Sequence, residues 1–198
     1  MLARVASLTA RRFGTTSSRS ASTLVIADHS NDAISSSTLN AVTAAKEIGG
    51  DITVLVAGTG CDGAASAAAQ IDGVSAVLKA DDESLGHQVA ENVTKVILAA
   101  QESGSYTHIL QAATNDGKNV LPRVAAGLDV SPVLDILSVE SEDTFTRPMY
   151  AGNAIATVQS SDSVKVRFNI LFSQKKKKAS HFFYFILFFP PFSKSDVV

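Results

Sequence analysis

Three short segments hold the residues whose types and spacing suit chemistry. The first is Asp28-His29-Ser30-Asn31, an acid beside an imidazole. Without a partnered nucleophile, such a pair reads as a strand end that caps or solvates. The second is Gly58-x-Gly60-x-x-Gly63, which fits a dinucleotide fingerprint between a strand and a helix. It follows the second expected strand rather than the first, and the acid expected further on falls at Asp81–Glu83, in a body rich in acids. The third is Ala113-Thr114-Asn115-Asp116-Gly117-Lys118, which opens a helix whose free N–H groups could hold an anion. Cys61 is the sole cysteine. At a helix start its thiol could be activated, yet no His or second Cys is near it in sequence, so it reads as a packing residue. Ser30, Ser35, Ser36 and Ser37 read as turn and cap residues. The four His are scattered without zinc spacing, so His87 reads as a helix-start residue and His108 as a strand residue. Arg123 and Arg147 are the only arginines between the leader and Arg167, which makes them candidates for ion pairing or partner contact.

These segments need strands and helices to position them, and the periodicity supplies both. Apolar, β-branched runs at Thr23–Ala27, Ile52–Val56, Ser75–Lys79, His108–Ala112 and Val133–Val139 predict strands. Helical patterns span Ser35–Ile48, Asp62–Ile71, His87–Gln101 and Lys118–Leu128, with Pro122 expected in the first turn of the last. The alternation predicts an α/β fold with an open, mostly parallel sheet. Its ligands would lie beyond the carboxyl ends of the strands. Thr146–Thr157 and Ser163–Arg167 lack a helix between them and predict an appended antiparallel ribbon.

Charge divides the 198 residues into three parts. Residues 1–23 carry four Arg and no acid, residues 24–167 carry 8 Lys/Arg against 18 Asp/Glu, and residues 168–198 carry five Lys and one Asp. Eight of the 10 Phe lie after residue 167. An acidic body makes a poor partner for nucleic acid, one cysteine excludes a disulfide scaffold, and no apolar run approaches a membrane span. Residues 1–22 have the Arg-rich, Ser-rich, acid-free composition of a mitochondrial transit peptide, with cleavage expected between Phe13 and Ser22; a disordered basic tail is the alternative. Residues 168–198, with Lys and Phe runs, read as a low-complexity tail. A translated intron or frameshift, a membrane-surface anchor and an extra strand compete as explanations. Phe182–Phe189 is an aggregation hazard if expressed.

TLVIADHSNDAISSSTLNAVTAAKEIGGDITVLVAGTGCD resembles the start of the electron transfer flavoprotein α subunit. GKNVLPRVAAGLDVSPVLDI and RPMYAGNA (Arg147–Ala154) are similar to later parts of that subunit's N-terminal domain, and the likeness covers residues 23–167. It implies a Rossmann-like fold of the adenine-nucleotide hydrolase-like group. The family's α subunit pairs with a β subunit, carries FAD mainly in a C-terminal domain that is not matched here, and leaves AMP to the β subunit. The heterodimer, in the mitochondrial matrix, takes electrons from acyl-CoA dehydrogenases in fatty acid and amino acid oxidation and passes them to a membrane ubiquinone oxidoreductase. The resemblance therefore implies an electron-carrier subunit rather than a catalyst, present as a truncated form. It implies no catalytic, metal-binding or FAD-binding residue in this chain. Arg123, Arg147, Tyr150 and Asn153 are expected at the subunit interface. Two other readings stand beside it. One is a free adenine-nucleotide-binding module of similar fold. The other is an α/β hydrolase or ligase, which lacks G-x-S-x-G and the S-G-G-x-D phosphate loop.

Overall fold

The computed structural model describes residues 21–30 and 32–169, together with the backbone of a strand at residues 185–186. The leader through residue 20, its expected cleavage region and most of the tail lie outside the described residues.

Strands and helices alternate as the periodicity requires. The order is β1 (Ser22–Ile26), β2 (His29–Ser30), β3 (Ala33–Ile34), α1 (Ser36–Ile48), β4 (Asp51–Gly58), α2 (Asp62–Ala69), β5 (Ala76–Asp81), α3 (Ala90–Gly104), β6 (His108–Ala112) and α4 (Asn115–Gly127). There follow β7 (Val133–Ile136), β8 (Ser138–Val139), β9 (Thr144–Met149), β10 (Ala154–Gln159), β11 (Lys165–Asn169) and β12 (Phe185–Ile186). Six strands form a parallel sheet in the order β5-β4-β1-β6-β11-β7. The period-2 alternation of each buried strand splits the core in two. Leu24, Ile26, Leu55, Ala57, Ile109 and Val166 face Val93 and Ile97 of α3 and Val120, Leu121 and Val124 of α4. Val25, Ala27, Val54, Val56 and Leu110 face Ala41, Val42 and Ala45 of α1 and Ala64 and Ala68 of α2. Apolar residues on both faces are what a helix-covered parallel sheet demands.

The end of the body departs from expectation in three ways. Val133–Val139 is not one strand. Asp135 takes a left-handed φ of 60° and the β7–β11 register slips there, so β7 stays in the central sheet and β8 pairs with β9. The expected ribbon is the antiparallel set β8-β9-β10, but Lys165–Asn169 does not join it: β11 enters the central sheet in parallel, between β6 and β7. The local pattern of VKV specifies a strand, whereas burial of Val166 between two helices selects its partners. Helix α4 begins at Asn115, capped by the Thr114 hydroxyl, so Pro122 lies in the helix interior rather than its first turn. Phe185–Ile186 adds a two-residue parallel strand to β10.

The ribbon is tied to the central sheet by a buried polar knot. Phe145 is fully buried, with the Arg167 guanidinium 3.5 Å from its ring centroid. Arg167 Nη2 donates to the Glu142 carbonyl at 2.9 Å, and His108 Nε2 reaches the same oxygen at 3.0 Å. A carbonyl only accepts, so Nε2 carries the proton of the neutral ring, and the acceptor Nδ1 lies 2.7 Å from the Thr107 hydroxyl, whose single hydrogen also faces the Ser22 carbonyl at 2.9 Å. Burial, with the nearby Arg167 and Lys165 charges, pulls the His108 pKa down to about 4. Lys165 pairs with Asp143 at 2.7 Å on the rim.

Candidate functional site

Two surfaces are open to a ligand or partner by their position in the fold: the crevice at the carboxyl ends of the strands, and the outer edge where the ribbon meets β7.

The sheet order reverses between β1 and β6, which is where an open α/β sheet takes ligands. Here that crevice is filled from within. Asp28, at the end of β1, accepts from Gln111 Nε2 at 3.0 Å and from the Thr114 hydroxyl at 2.8 Å. These bonds lower its pKa, but desolvation outweighs them and the net shift is upward. His29 Nε2 donates to the Ala57 carbonyl at 3.1 Å, and Gln88 Nε2 donates to the same oxygen at 2.6 Å. The two side chains lie so close to Gly58 that a Cβ there would sit 2.9 Å from His29 Cε1. The Asp28-His29 pair stitches neighbouring strands together, and the Thr114 hydroxyl beside Asp28 is engaged as the α4 cap.

Both helix N-termini at this end are guarded by carboxylates. The Gly60 amide, which a pyrophosphate would need, already donates to Asp81 Oδ1 at 3.0 Å. Asp62 stands in the first turn of α2 and binds Lys79 at 2.6 Å. At α4, Thr114 caps the Gly117 amide, with Asp116 in the first turn and Asp28 bonded to Thr114. An anionic ligand is repelled at both places, since carboxylates already complement the helix dipoles. The residues of the Gly58–Gly63 segment therefore do not fit a dinucleotide, and α4 does not offer the open anion site its sequence suggested. Cys61 is fully buried, and desolvation pushes its thiol pKa up, away from activation. No group of three or more metal-ligating side chains occurs among the described residues.

The second place is built differently. The β9–β10 hairpin pairs Met149 with Ala154, leaving Tyr150–Asn153 as its tip. Tyr150, Ala151 and Gly152 take φ values of 52°, 55° and 90°, three successive left-handed residues of which only the glycine is at ease there. The Asn153 amide closes the turn onto the Tyr150 carbonyl at 3.2 Å. This geometry thrusts Tyr150 outward, 77% exposed. Beside the tip lies an open groove of about 500 Å³, lined by Asp135, Arg147, Pro148, Met149, Tyr150, Ala151 and Gly152. Arg147 Nε is shut off from solvent without a hydrogen-bond partner among the described residues. No ion pair joins Arg147 to Asp135, although both line the groove.

Of the four residues expected at an interface, the structure brings Arg147, Tyr150 and Asn153 together at this hairpin. Arg123 stands apart on α4, held by Glu91 of α3 at 2.9 Å and by Asn119 at 3.2 Å. Asp135 was missed. The sequence signal was its position inside an apolar run, VLDIL, where an acid has no place in a regular buried strand.

The family model described as "Electron transfer flavoprotein domain" matches residues 23–167. The chain belongs to the electron transfer flavoprotein family. An electron transfer flavoprotein subunit alpha from Pseudomonas aeruginosa is 57% identical over 143 residues, covering 72% of this chain and 46% of that protein. The mitochondrial subunit alpha of Dictyostelium discoideum is 48% identical over 149 residues, covering 72% and 42%. The probable mitochondrial subunit alpha of Caenorhabditis elegans is 44% identical over 149 residues, covering 75% and 45%. The chain spans about half the length of the curated relatives it matches. The family boundary at residue 167 falls on β11, two residues before that strand ends. The hairpin and its groove lie wholly inside the electron transfer flavoprotein domain. No described helix is long and apolar enough to cross a membrane.

Proposed function

We propose that this chain supplies the heterodimer-building domain of an electron transfer flavoprotein α subunit, acting as part of an electron carrier rather than as a catalyst. The observation that carries the reading is the contrast between the two places just described. The usual ligand crevice is stitched shut and guarded by its own carboxylates, whereas the hairpin tip holds strained backbone and an exposed Tyr150 at the edge of the sheet. Consecutive left-handed residues at an exposed tip are backbone strain of the kind that clusters at binding surfaces.

In this reading the partner is the β subunit, which holds AMP, and the FAD is gripped by α-subunit residues outside this segment. The complete heterodimer takes electrons from acyl-CoA dehydrogenases and delivers them to the ubiquinone oxidoreductase of the mitochondrial inner membrane. Residues 1–22 address the protein to the matrix, residues 23–167 form the pairing domain, and residues 168–198 stand outside the family's pattern. Support comes from the match over residues 23–167 and from relatives labelled mitochondrial.

The test is co-expression of the tagged 198-residue chain with an electron transfer flavoprotein β subunit. The expected result is co-purification of the two chains, with no flavin absorbance when the tagged chain is purified alone. A chain that purifies alone in the presence of its partner, or that carries stoichiometric flavin by itself, contradicts the reading.

A further inference from the structure

We infer that the outer edge of β10 is a strand-addition site, and that the chain closes it against a second copy of itself with its own Phe185–Ile186 strand. The inference goes beyond the pairing reading and does not depend on it.

With β12 set aside, the central sheet and the ribbon have four outer strands among the described residues: β5, β7, β8 and β10. Three of them carry features that turn another strand away. β5 holds Lys79 and Asp81, and Lys79 pairs with Asp62 at 2.6 Å and with Asp81 at 3.4 Å. β7 has four residues, one of them the left-handed Asp135 at the register slip. β8 has only two residues. Charge, irregularity and shortness are the usual means by which an edge is kept from pairing. β10 has none of them. Its six residues, AIATVQ, include no charge and no proline, and they pair with β9 in unbroken register from Ala154 to Gln159. A regular, uncharged edge of that length presents its backbone N–H and C=O groups as a template for another strand.

The chain supplies that strand itself. After β10 it crosses to the central sheet as β11, and β12 then returns to the ribbon. Ala156 lies opposite Phe185 and Thr157 opposite Ile186, in parallel, at the centre of β10. Phe and Ile are residue types that favour strands. Residues 160–184 separate the two paired strands, a longer connection than a parallel return requires. A strand tethered to its own sheet meets the edge at a high effective concentration, so even a short pairing competes with the same edge of another molecule. Two uncapped β10 edges are self-complementary: they pair with each other about a two-fold axis and give a closed dimer. Among the readings of residues 168–198, this pairing favours the extra strand.

The experiment uses the full 198-residue chain, with hydrogen–deuterium exchange and sedimentation velocity as readouts. Phe185→Pro combined with Ile186→Pro removes both backbone N–H groups of the capping strand. In that variant the amides of Ala154–Gln159 are expected to exchange about tenfold faster, those of β1, β4 and β6 to stay protected, and the monomer to pass to a dimer as concentration rises. Adding Thr157→Lys puts a charge in the middle of β10 and is expected to restore the monomer. Thr157→Cys combined with Ile186→Cys leaves the strand free to form, and is expected to close an intramolecular disulfide on oxidation, since paired strands lie about 4.8 Å apart. No such disulfide, or unchanged exchange at Ala154–Gln159 in the double-proline variant, overturns the cap. A wild type that already dimerises, a double-proline variant that stays monomeric, or a dimer that survives Thr157→Lys overturns the strand-addition site.

Discussion

At the scale of single residues, the buried charges are the least expected feature of the molecule. Arg167 is fully buried with one hydrogen bond, to Glu142, and with Nε and Nη1 unsatisfied. Burial lowers its proton affinity, and the ring of Phe145 offsets only part of the desolvation. Replacement by an apolar side chain of similar length removes unmade donors rather than a balanced pair. Arg167→Met is therefore expected to raise the urea midpoint, by about 1 kcal/mol of stability; a fall of that size shows the guanidinium to be structurally required. His108 acts in the opposite direction. Its folded pKa of about 4 lies below the unfolded value of 6.5, so the unfolded chain binds the proton first as pH falls. The stability tied to neutral His108 is present above pH 6.5 and is lost as pH drops toward 4, by about 3 kcal/mol across that window. Urea titrations from pH 7 to pH 4 check this: in His108→Gln that part of the slope disappears, leaving the carboxylate contribution common to both proteins. None of this was legible beforehand. VKVR reads as a strand with alternating charge, and nothing local shows that Arg167 faces Phe145 or that His108 lies beneath the ribbon.

At the scale of elements, sequence reading succeeds where one face repeats and fails where partners are chosen at a distance. The helices and the first four parallel strands follow from period and caps, down to the Thr114 cap and the Ser35 cap of α1. The error over Pro122 has a simple origin. The Asn115–Lys118 turn is polar and reads as a loop, although Thr114 caps it and Asp116 suits its N-terminus. Pro122 is consequently an exposed interior proline that cannot bond the Lys118 carbonyl. Pro122→Ala is expected to stabilise the domain by about 1–3 kcal/mol in thermal or urea unfolding; an unchanged midpoint would show that the helix is already relaxed around it. Thr114→Ala is expected to cost about 1–2 kcal/mol, since it removes the helix cap and one of the two bonds that hold Asp28. The ribbon was anticipated but its membership was not. β11 leaves it for the central sheet because Val166 is buried against the α3–α4 layer, a choice no nearest-neighbour pattern contains.

At the scale of the whole molecule, the fold separates two surfaces that other members of its architecture class could use. The strand ends are closed from within: Asp81 holds the Gly60 amide, Asp28 holds Gln111 and Thr114, and His29 with Gln88 fills the space above Gly58, though the buried His29 Nδ1 and Gln111 Oε1 have no partner among the described residues. The far edge is open. Arg147, Tyr150 and Asn153 were singled out from the family's RPMYAGNA segment, and the structure gathers them on one hairpin. Asp135 joins them only through the register slip in β7. The proposed working surface is the sheet edge, and hydrogen–deuterium exchange of the full chain with and without the β subunit reads it directly. The expected result is strong protection of residues 147–153 and of β7 on adding the partner, with little change at Asp28–Ser30 and Thr114–Gly117. Protection confined to those strand ends, or none at the hairpin, would contradict it.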